Sequence, residues 1–407
     1  MIEAFNAAMA EAIEELLAYS TETVQIFHHN DTDGLSSGTI LDEAFSQAGY
    51  SVERFSLEKP YPQVLEKIFE NQGRIIIFTD FAGRISPLIS ELNHGSNLVL
   101  ILDHHPAEDT EDPSVHVLDG ELYNLKGDRD ISASATCFLF AQSLSRKRGF
   151  SSDHLSHLGV LGAIGDGFFV DGALSGVNAD ILKIAEDQRL IRTVISEGEN
   201  AYFIVLGGKE YEADRVCQIL DTVGGVGYYS GGTDLGVEIC KNGLDQNKEE
   251  TVVKLLEKRD HIFSSEIERL KEELITTENL QWFDVKDRFQ PMGVKMIGVF
   301  CTQIKDSQLV EKSKYLAGFQ YIPDEVPGFG KISFNSTKIS MRVSQYITDK
   351  IRAEEMAPLN RVLPEATKIL DGFVDACHGL SAATTVKIGQ ESRLIEEIEN
   401  ILQVRMV

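Results

Sequence analysis

Basic charge is scarce in this sequence: 38 Lys and Arg stand against 64 Asp and Glu in 407 residues, a net charge of −26. The deficit is local. Residues 279–407 carry 16 basic and 16 acidic residues, so the whole imbalance falls on the first 278. A long polyanion gains affinity by releasing counterions to a basic surface, and the N-terminal part offers little of one. A solubility adaptation or a salty cytoplasm is the expected account of most of the excess. Cysteine is also sparse. The five, at 137, 217, 240, 301 and 377, form no CxxC pair and are odd in number, which argues against a disulfide framework and for buried thiols in a reducing cytoplasm. No apolar run is long enough to cross a bilayer, so no membrane partner is expected. Residues 1–17 read as an acidic amphipathic helix without the basic start of a signal peptide. Internal repeats and low-complexity tracts are absent.

What is present is ordinary globular material, 43% hydrophobic and 25% charged, enough for two domains. Strand signals at 24–27, 51–55, 75–78 and 98–102 alternate with helix signals at 37–48 and 61–71. That order predicts an α/β fold with a mainly parallel sheet covered on both faces. Residues 132–144 and 153–164 read as helices. The glycines of 223–227 and 231–232 mark turns, without the order of a dinucleotide fingerprint. Residues 247–277 read as one long helix, with Val252, Leu256, Phe263, Ile267, Leu270 and Leu274 at helical spacing. Beyond it, 293–301 and 339–343 look like strands and 358–377 contains a helix, a second and smaller α+β domain. The expected division is 1–245, a linking helix over 246–278, and 279–407.

Acidic and imidazole residues gather where the strands should end. Asp103-His104-His105 closes the run Leu98-Val99-Leu100-Ile101-Leu102. His29-Asn30-Asp31-Thr32-Asp33-Gly34 follows the first strand, Asp80 the third, and Asp166 sits within Gly165-Asp166-Gly167. In open α/β sheets ligands collect beyond the carboxyl ends of the strands. Each element alone has a plain structural account: a turn, a helix cap, surface histidines, a loop. Together they would repel one another unless cations neutralise them, and a pair of divalent ions does so. Oxygen and imidazole ligands without thiolate favour Mn²⁺ or Mg²⁺ over structural zinc, and His104 favours Mn²⁺. Asp31 and Asp33 can each face a different ion, with Asp80 suited to bridge them. His105, with Asp103 beside it, is the candidate catalytic group, binding a phosphate or protonating a leaving oxygen. Such a pair of ions is best suited to phosphoryl hydrolysis.

These motifs resemble those of the DHH phosphoesterases with a C-terminal DHHA1 domain, chiefly the RecJ-type and archaeal members. The resemblance runs over nearly the whole chain. It implies one ion on His29, Asp31 and Asp80 and another on Asp33, Asp80, His104 and Asp166, although His28 competes with His29. Ser37 and Ser132–Ser134 also match positions near the family's site. Ser340-Met341-Arg342 is similar to the family's Ser-Leu-Arg strand, which makes Arg342 a substrate-phosphate ligand. Cys377-His378-Gly379-Leu380-Ser381-Ala382-Ala383 is similar to the family's Gly-Gly-His-x-x-Ala-Ala-Gly loop, which makes His378 and Gly379 substrate-binding candidates. His378 and Ala382 are kept, Ala376 and Cys377 stand for the first two glycines, Ser381 for the first alanine and Ala383 for the last glycine, and Gly379 adds some backbone freedom. The implied active site lies in a cleft between the domains.

Three functions are compatible: a RecJ-like exonuclease on single-stranded DNA or RNA, a phosphodiesterase for short oligonucleotides or cyclic dinucleotides, and a non-catalytic replication scaffold. The presence of every metal ligand weighs against the scaffold. Replication or repair partners are compatible with an active enzyme.

Overall fold

Parallel pairing organises the first part of the chain because its central strands are apolar on both faces. The computed structural model describes residues 2–196 and 199–405, so residues 1, 406 and 407 of the expected segments lie outside it. Helix α1 (Ile2–Ala18) precedes β1 (Thr23–His28), α2 (Thr32–Gln47), β2 (Ser51–Ser56), α3 (Pro62–Phe69), β3 (Ile75–Thr79), α4 (Ser86–Asn93), β4 (Leu98–Asp103) and β5 (Val115–Asp119). The strands form one sheet in the order β2-β1-β3-β4-β5, every neighbouring pair parallel. All residues of β3 and β4 are buried, as strands covered on both faces must be, whereas edge strand β2 is partly exposed. Strand β5 escapes a sequence reading because polar His116 interrupts a short apolar run.

Helices α5 (Ala133–Arg148) and α6 (Ser156–Gly165) come next, then a hairpin of β6 (Phe169–Val170) and β7 (Ala173–Leu174), and α7 (Gly176–Asp187). A three-stranded antiparallel sheet follows, of β8 (Ile191–Ser196), β9 (Glu199–Leu206) and β10 (Lys209–Glu212). Helices α8 (Ala213–Gly225), α9 (Gly232–Asn242) and α10 (Gln246–Glu273) lead onward, and the chain divides within α10 into two compact units, up to Val253 and from Lys254.

The second unit contains β11 (Ile275–Thr276), β12 (Leu280–Asp284), α11 (Met296–Ile304), β13 (Tyr315–Tyr321), β14 (Glu325–Val326), β15 (Gly330–Lys331), β16 (Ser336–Arg342), α12 (Gln345–Arg352), α13 (Leu359–Ile369), β17 (Phe373–Cys377), β18 (Ser381–Lys387) and α14 (Glu391–Arg405). Its six-stranded sheet runs β11-β12-β13-β16-β18-β17. Ile339 and Met341 of β16 pack in one core with Leu363 and Ala366 of α13 and with Leu394 and Ile398 of α14. The strand expected at 293–301 is instead helix α11. A short apolar run carries no period of its own, and here burial follows the helical one: Ile297, Phe300, Cys301 and Ile304 are buried while Val299 is exposed. All five cysteines are buried and none forms a disulfide among the described residues. No helix among the described residues is long and apolar enough to cross a membrane.

Candidate metal centre

The carboxyl end of β1 decides between the two histidines. His28 is buried, and its Nδ1–H donates to the His29 carbonyl at 2.7 Å. Burial, helped by the Arg54 charge, lowers its pKa to about 3, so it stays neutral inside the sheet. His29 turns out of the strand and sets Nδ1 at 2.7 Å from Asp31 Oδ2 and 3.4 Å from Asp80 Oδ2. Asp31 serves twice. Its Oδ1 caps α2 by accepting from the Gly34 N–H at 3.1 Å, while Oδ2 faces the cluster. The cap starts α2 at Thr32, well before Ser37, where its apolar pattern suggests a beginning.

Asp33, fully buried in the first turn of α2, meets the start of another helix. Its two oxygens accept from the backbone N–H groups of Ala133 and Ser134, both at 2.8 Å, where α5 begins. A helix N-terminus favours such an anion. Helix α6 passes so close that a Cβ on Gly162 would lie 1.8 Å from Asp33 Oδ1. The glycine-rich segment acts similarly. Of the turns expected from sequence over 223–227 and 231–232, those at Val226–Gly227 and Gly231 are present, but 223–225 belong to the end of α8. Gly224 lies within α8, where a Cβ would stand 1.7 Å from the Asn30 carbonyl oxygen, and Asn30 Nδ2 donates to the Gly224 carbonyl. Helix α8 thereby buttresses the loop from His29 to Asp33.

Asp80 occupies the left-handed region at φ 65°, uncommon for a residue other than glycine and better tolerated by Asp and Asn than by most. Its carboxylate faces two ways: Oδ2 toward His29, and Oδ1 at 3.3 Å from His104 Nε2. His104 is oriented from behind, because Nδ1–H donates to the Gly127 carbonyl at 2.5 Å. That bond aims Nε2 at Asp80, at Asp166 Oδ2 (3.4 Å) and at Asp33 Oδ2 (3.9 Å). Asp166, the C-cap of α6, is the most exposed of these carboxylates.

Asp103 is committed elsewhere. Its Oδ2 accepts from the Gly83 N–H at 2.9 Å, and its Oδ1 accepts from the His104 N–H at 2.9 Å and from His105 Nδ1–H at 2.8 Å. Burial alone would raise its pKa, but the charge and hydrogen bond of His105 outweigh it and hold the carboxyl well below the usual range. Asp103 therefore orients His105. A residue missed in the sequence stands beside it: Asp119, paired in register with Asp103, buried, and raised in pKa by burial and by the Asp103 charge. Leu118-Asp119 repeats the ending Leu102-Asp103, and recognising β5 would have exposed it.

Potential ligand atoms of His29, Asp31 and Asp80 lie within 4.8 Å of one another, as do those of Asp33, Asp80, His104 and Asp166. Asp80 belongs to both groups. Asp80, Asp103, His104 and His105 lie equally close together, but both Asp103 oxygens are already engaged. The site fits divalent cations on its own chemistry. Asp80 Oδ2 and His104 Nε2 are buried yet form no well-aligned hydrogen bond. Burial, then the charges of Asp31 and Asp33, drive the Asp80 pKa well above its ordinary value. Burial opposes protonation of His104, but Asp80, Asp166 and Asp33 overcome it and raise that pKa well above normal. Without cations, protons must do the neutralising.

This fixes a pH dependence. Groups with raised folded-state pKa values stabilise fully below their unfolded values, about 3.9 for Asp and 6.5 for His, and lose that contribution as pH rises through the folded values. Asp103 runs the other way and loses its contribution only in strong acid. In chelator, the melting temperature is expected to fall as pH rises from about 6.5 to 8.5, and saturating Mn²⁺ to flatten that slope. Equal slopes with and without Mn²⁺ would contradict the metal assignment.

The remaining sequence candidates lie in the second unit. Arg342 ends β16, opposite Ser381 of β18, so the β17–β18 turn with His378 and Gly379 begins just beyond it. Its Nη1 donates to Ser340 Oγ and to the Met341 carbonyl, and its Nε to Thr302 Oγ1 at 3.0 Å. No carboxylate pairs with it among the described residues, and burial lowers its pKa. These acceptors are neutral oxygens. Gly379 packs openly, its nearest neighbour for a Cβ being Pro358 at 3.6 Å.

No family model matches the chain. An uncharacterised protein of Methanocaldococcus jannaschii is 29% identical over 216 residues, 51% of this chain and 46% of that protein, so the match spans about half of each. RecJ of Thermus thermophilus, solved in complex with Mn²⁺, is similar over 98% of this chain and 55% of its own, with TM-score 0.66 and 14% identity. The chain thus spans about half the length of that protein. A second structure, of exonuclease RecJ bound to manganese, is similar over 98% of this chain and 97% of its own, with TM-score 0.59 and 15% identity. The DHH domain of a protein assigned to a family of ribosomal proteins reaches TM-score 0.62 at 14% identity, over 99% of this chain and 92% of its own. The chain has the fold of RecJ and the DHH-domain proteins.

Proposed function

We propose that this chain is a metal-dependent phosphoesterase that hydrolyses phosphodiester bonds of single-stranded nucleic acid from an end, in the manner of RecJ. The observation that carries the reading is Asp80, whose two oxygens face two separate groups of ligands, as a carboxylate bridging two cations does. His29 and Asp31 complete one set; Asp33, His104 and Asp166 complete the other. Mn²⁺ suits the mixed oxygen and imidazole donors, with Mg²⁺ as the alternative. Bound there, such ions supply Lewis-acid polarisation of the phosphoryl group and a water of lowered pKa. The likeness to an exonuclease bound to manganese supports the reading.

The protein's own groups supply orientation and protons. Asp103 accepts from His105 Nδ1–H, so Nε2 is the nitrogen that delivers a proton to the departing oxygen. His105→Asn is expected to lower kcat by about 10²–10³-fold, the usual worth of a positioned acid, with KM little changed. Arg342 holds a substrate phosphate. Arg342→Ala is expected to raise KM by about tenfold or more, since a charged hydrogen bond is worth about 1.5–3 kcal/mol, while kcat stays near wild type.

A second reading, hydrolysis of short oligonucleotides or cyclic dinucleotides, draws on the charge of −26 confined to the first 278 residues, which disfavours a long nucleic-acid track. End-labelled single strands of increasing length, with Mn²⁺, separate the two. Stepwise shortening of strands tens of nucleotides long supports the exonuclease; activity confined to the shortest strands or to cyclic dinucleotides supports the second reading.

A further inference from the structure

We infer that Phe169 is a stacking platform for one nucleobase of the substrate strand. The inference rests on the function proposed above and deepens it, because it gives the metal unit a means of gripping the strand without positive charge.

Phe169 lies three residues beyond Asp166, and the intervening geometry ties it to the cluster. The Phe168 ring packs edge-on against His104, with centroids 5.3 Å apart. The next ring belongs to Phe169, which opens β6 and remains 40% exposed. One of its faces is occupied: Phe169 and Tyr202 are nearly parallel, with centroids 6.1 Å apart and planes 13° from each other. Tyr202 is buried and fixed, its hydroxyl accepting from the Leu174 N–H at 3.1 Å and from Asn200 Nδ2 at 3.3 Å. The hairpin itself is pinned, since the Asn200 N–H donates to the Gly172 carbonyl at 2.9 Å. The result is a rigid aromatic pair with an open outer face, one residue removed from a ring in contact with a candidate metal ligand. The platform extends along β8. Ile195, 76% exposed, is in register with Asn200, and alternation places it on the Tyr202 face of the sheet.

Apolar surface held in place in this way gains free energy when a flat apolar partner covers it. Every nucleobase presents a π face, and base–aromatic stacking is tolerant of sequence and insensitive to net charge. That suits a unit whose charge repels phosphates. A nucleotide whose phosphodiester lies on the cations would have its base, or that of the next residue, within reach of Phe169.

The test uses the full chain with Mn²⁺ and single strands carrying an abasic residue at each of the first three positions, beside intact strands. Phe169→Ala is expected to raise KM for intact strands about tenfold, with kcat near wild type, the loss expected of one stacked base. One abasic position is expected to raise the wild-type KM by a similar factor, and at that position Phe169→Ala is expected to add nothing. Phe169→Leu, which keeps apolar bulk without a ring, is expected to behave as the alanine variant, and Phe169→Trp to restore binding. If Phe169→Ala folds normally and cleaves intact strands with wild-type KM, the platform is not a base site and the apolar ridge serves a protein partner instead. If the wild type cleaves no strand at all, the proposed function itself falls.

Discussion

Asp80→Asn is expected to abolish metal-dependent hydrolysis while making the metal-free protein more stable. Asparagine keeps the shape of the side chain and tolerates the left-handed backbone at this position, so the change is confined to charge. In the absence of cations, the wild type must either take up a proton at Asp80 or bury its charge beside Asp31, Asp33 and Asp166, and a neutral isostere avoids both costs. The melting temperature in chelator should therefore rise. With Mn²⁺ the order reverses, because the wild type gains stability from ligand binding to the folded state and the variant loses the oxygen shared by both ligand sets. Lewis-acid stabilisation is worth several kcal/mol and each 1.4 kcal/mol is tenfold in rate, so kcat is expected to fall by about a thousandfold. Thermal melts with and without Mn²⁺, beside steady-state kinetics, test both halves. A variant with near-wild-type turnover, or one that still gains full stability from Mn²⁺, would show that Asp80 bridges nothing.

Gly162→Ala is expected to be nearly as damaging, although the residue carries no functional group. The added methyl would sit 1.8 Å from Asp33 Oδ1 and 2.2 Å from Ser134 Oγ, far inside contact distance. Helix α6 must then move away from α2 and α5, or Asp33 must leave the N–H groups of Ala133 and Ser134. Overpacking of a tight interior costs about 1–3 kcal/mol or more, and here the strain falls on a ligand. Displacing α6 also shifts its C-cap, Asp166. Chemical denaturation should report the lost stability, and Mn²⁺ titration a weakened or absent metal response. Wild-type behaviour in both would mean that α6 does not set the ligand geometry.

The parts of the molecule legible in the sequence are those in which a single physical signal dominates. The all-apolar runs of β3 and β4 announce a doubly covered sheet, and strand-end acids such as Asp80 and Asp103 announce where its ligands belong. Helix α11 is not legible, because a run such as Met296-Ile297-Gly298-Val299-Phe300 fills a strand or a buried helix equally well until its neighbours are known. Asp119 is hidden by the brevity of β5. The choice of His29 over His28 needs the turn itself, since strand parity ends where the turn begins. Least visible are contacts that link distant segments: the Gly127 carbonyl that orients His104, the start of α5 that receives Asp33, and the close approach of Gly224 to Asn30. Each depends on backbone atoms, which every residue possesses and no composition reveals.

Anomalous diffraction from crystals soaked in Mn²⁺ addresses the centre most directly. Two peaks are expected about 4 Å apart, the spacing typical of paired catalytic ions, both in contact with Asp80, one beside His29 and Asp31 and the other beside Asp33, His104 and Asp166. A single peak, or peaks that do not touch Asp80, would contradict the shared-carboxylate centre on which the proposed chemistry depends.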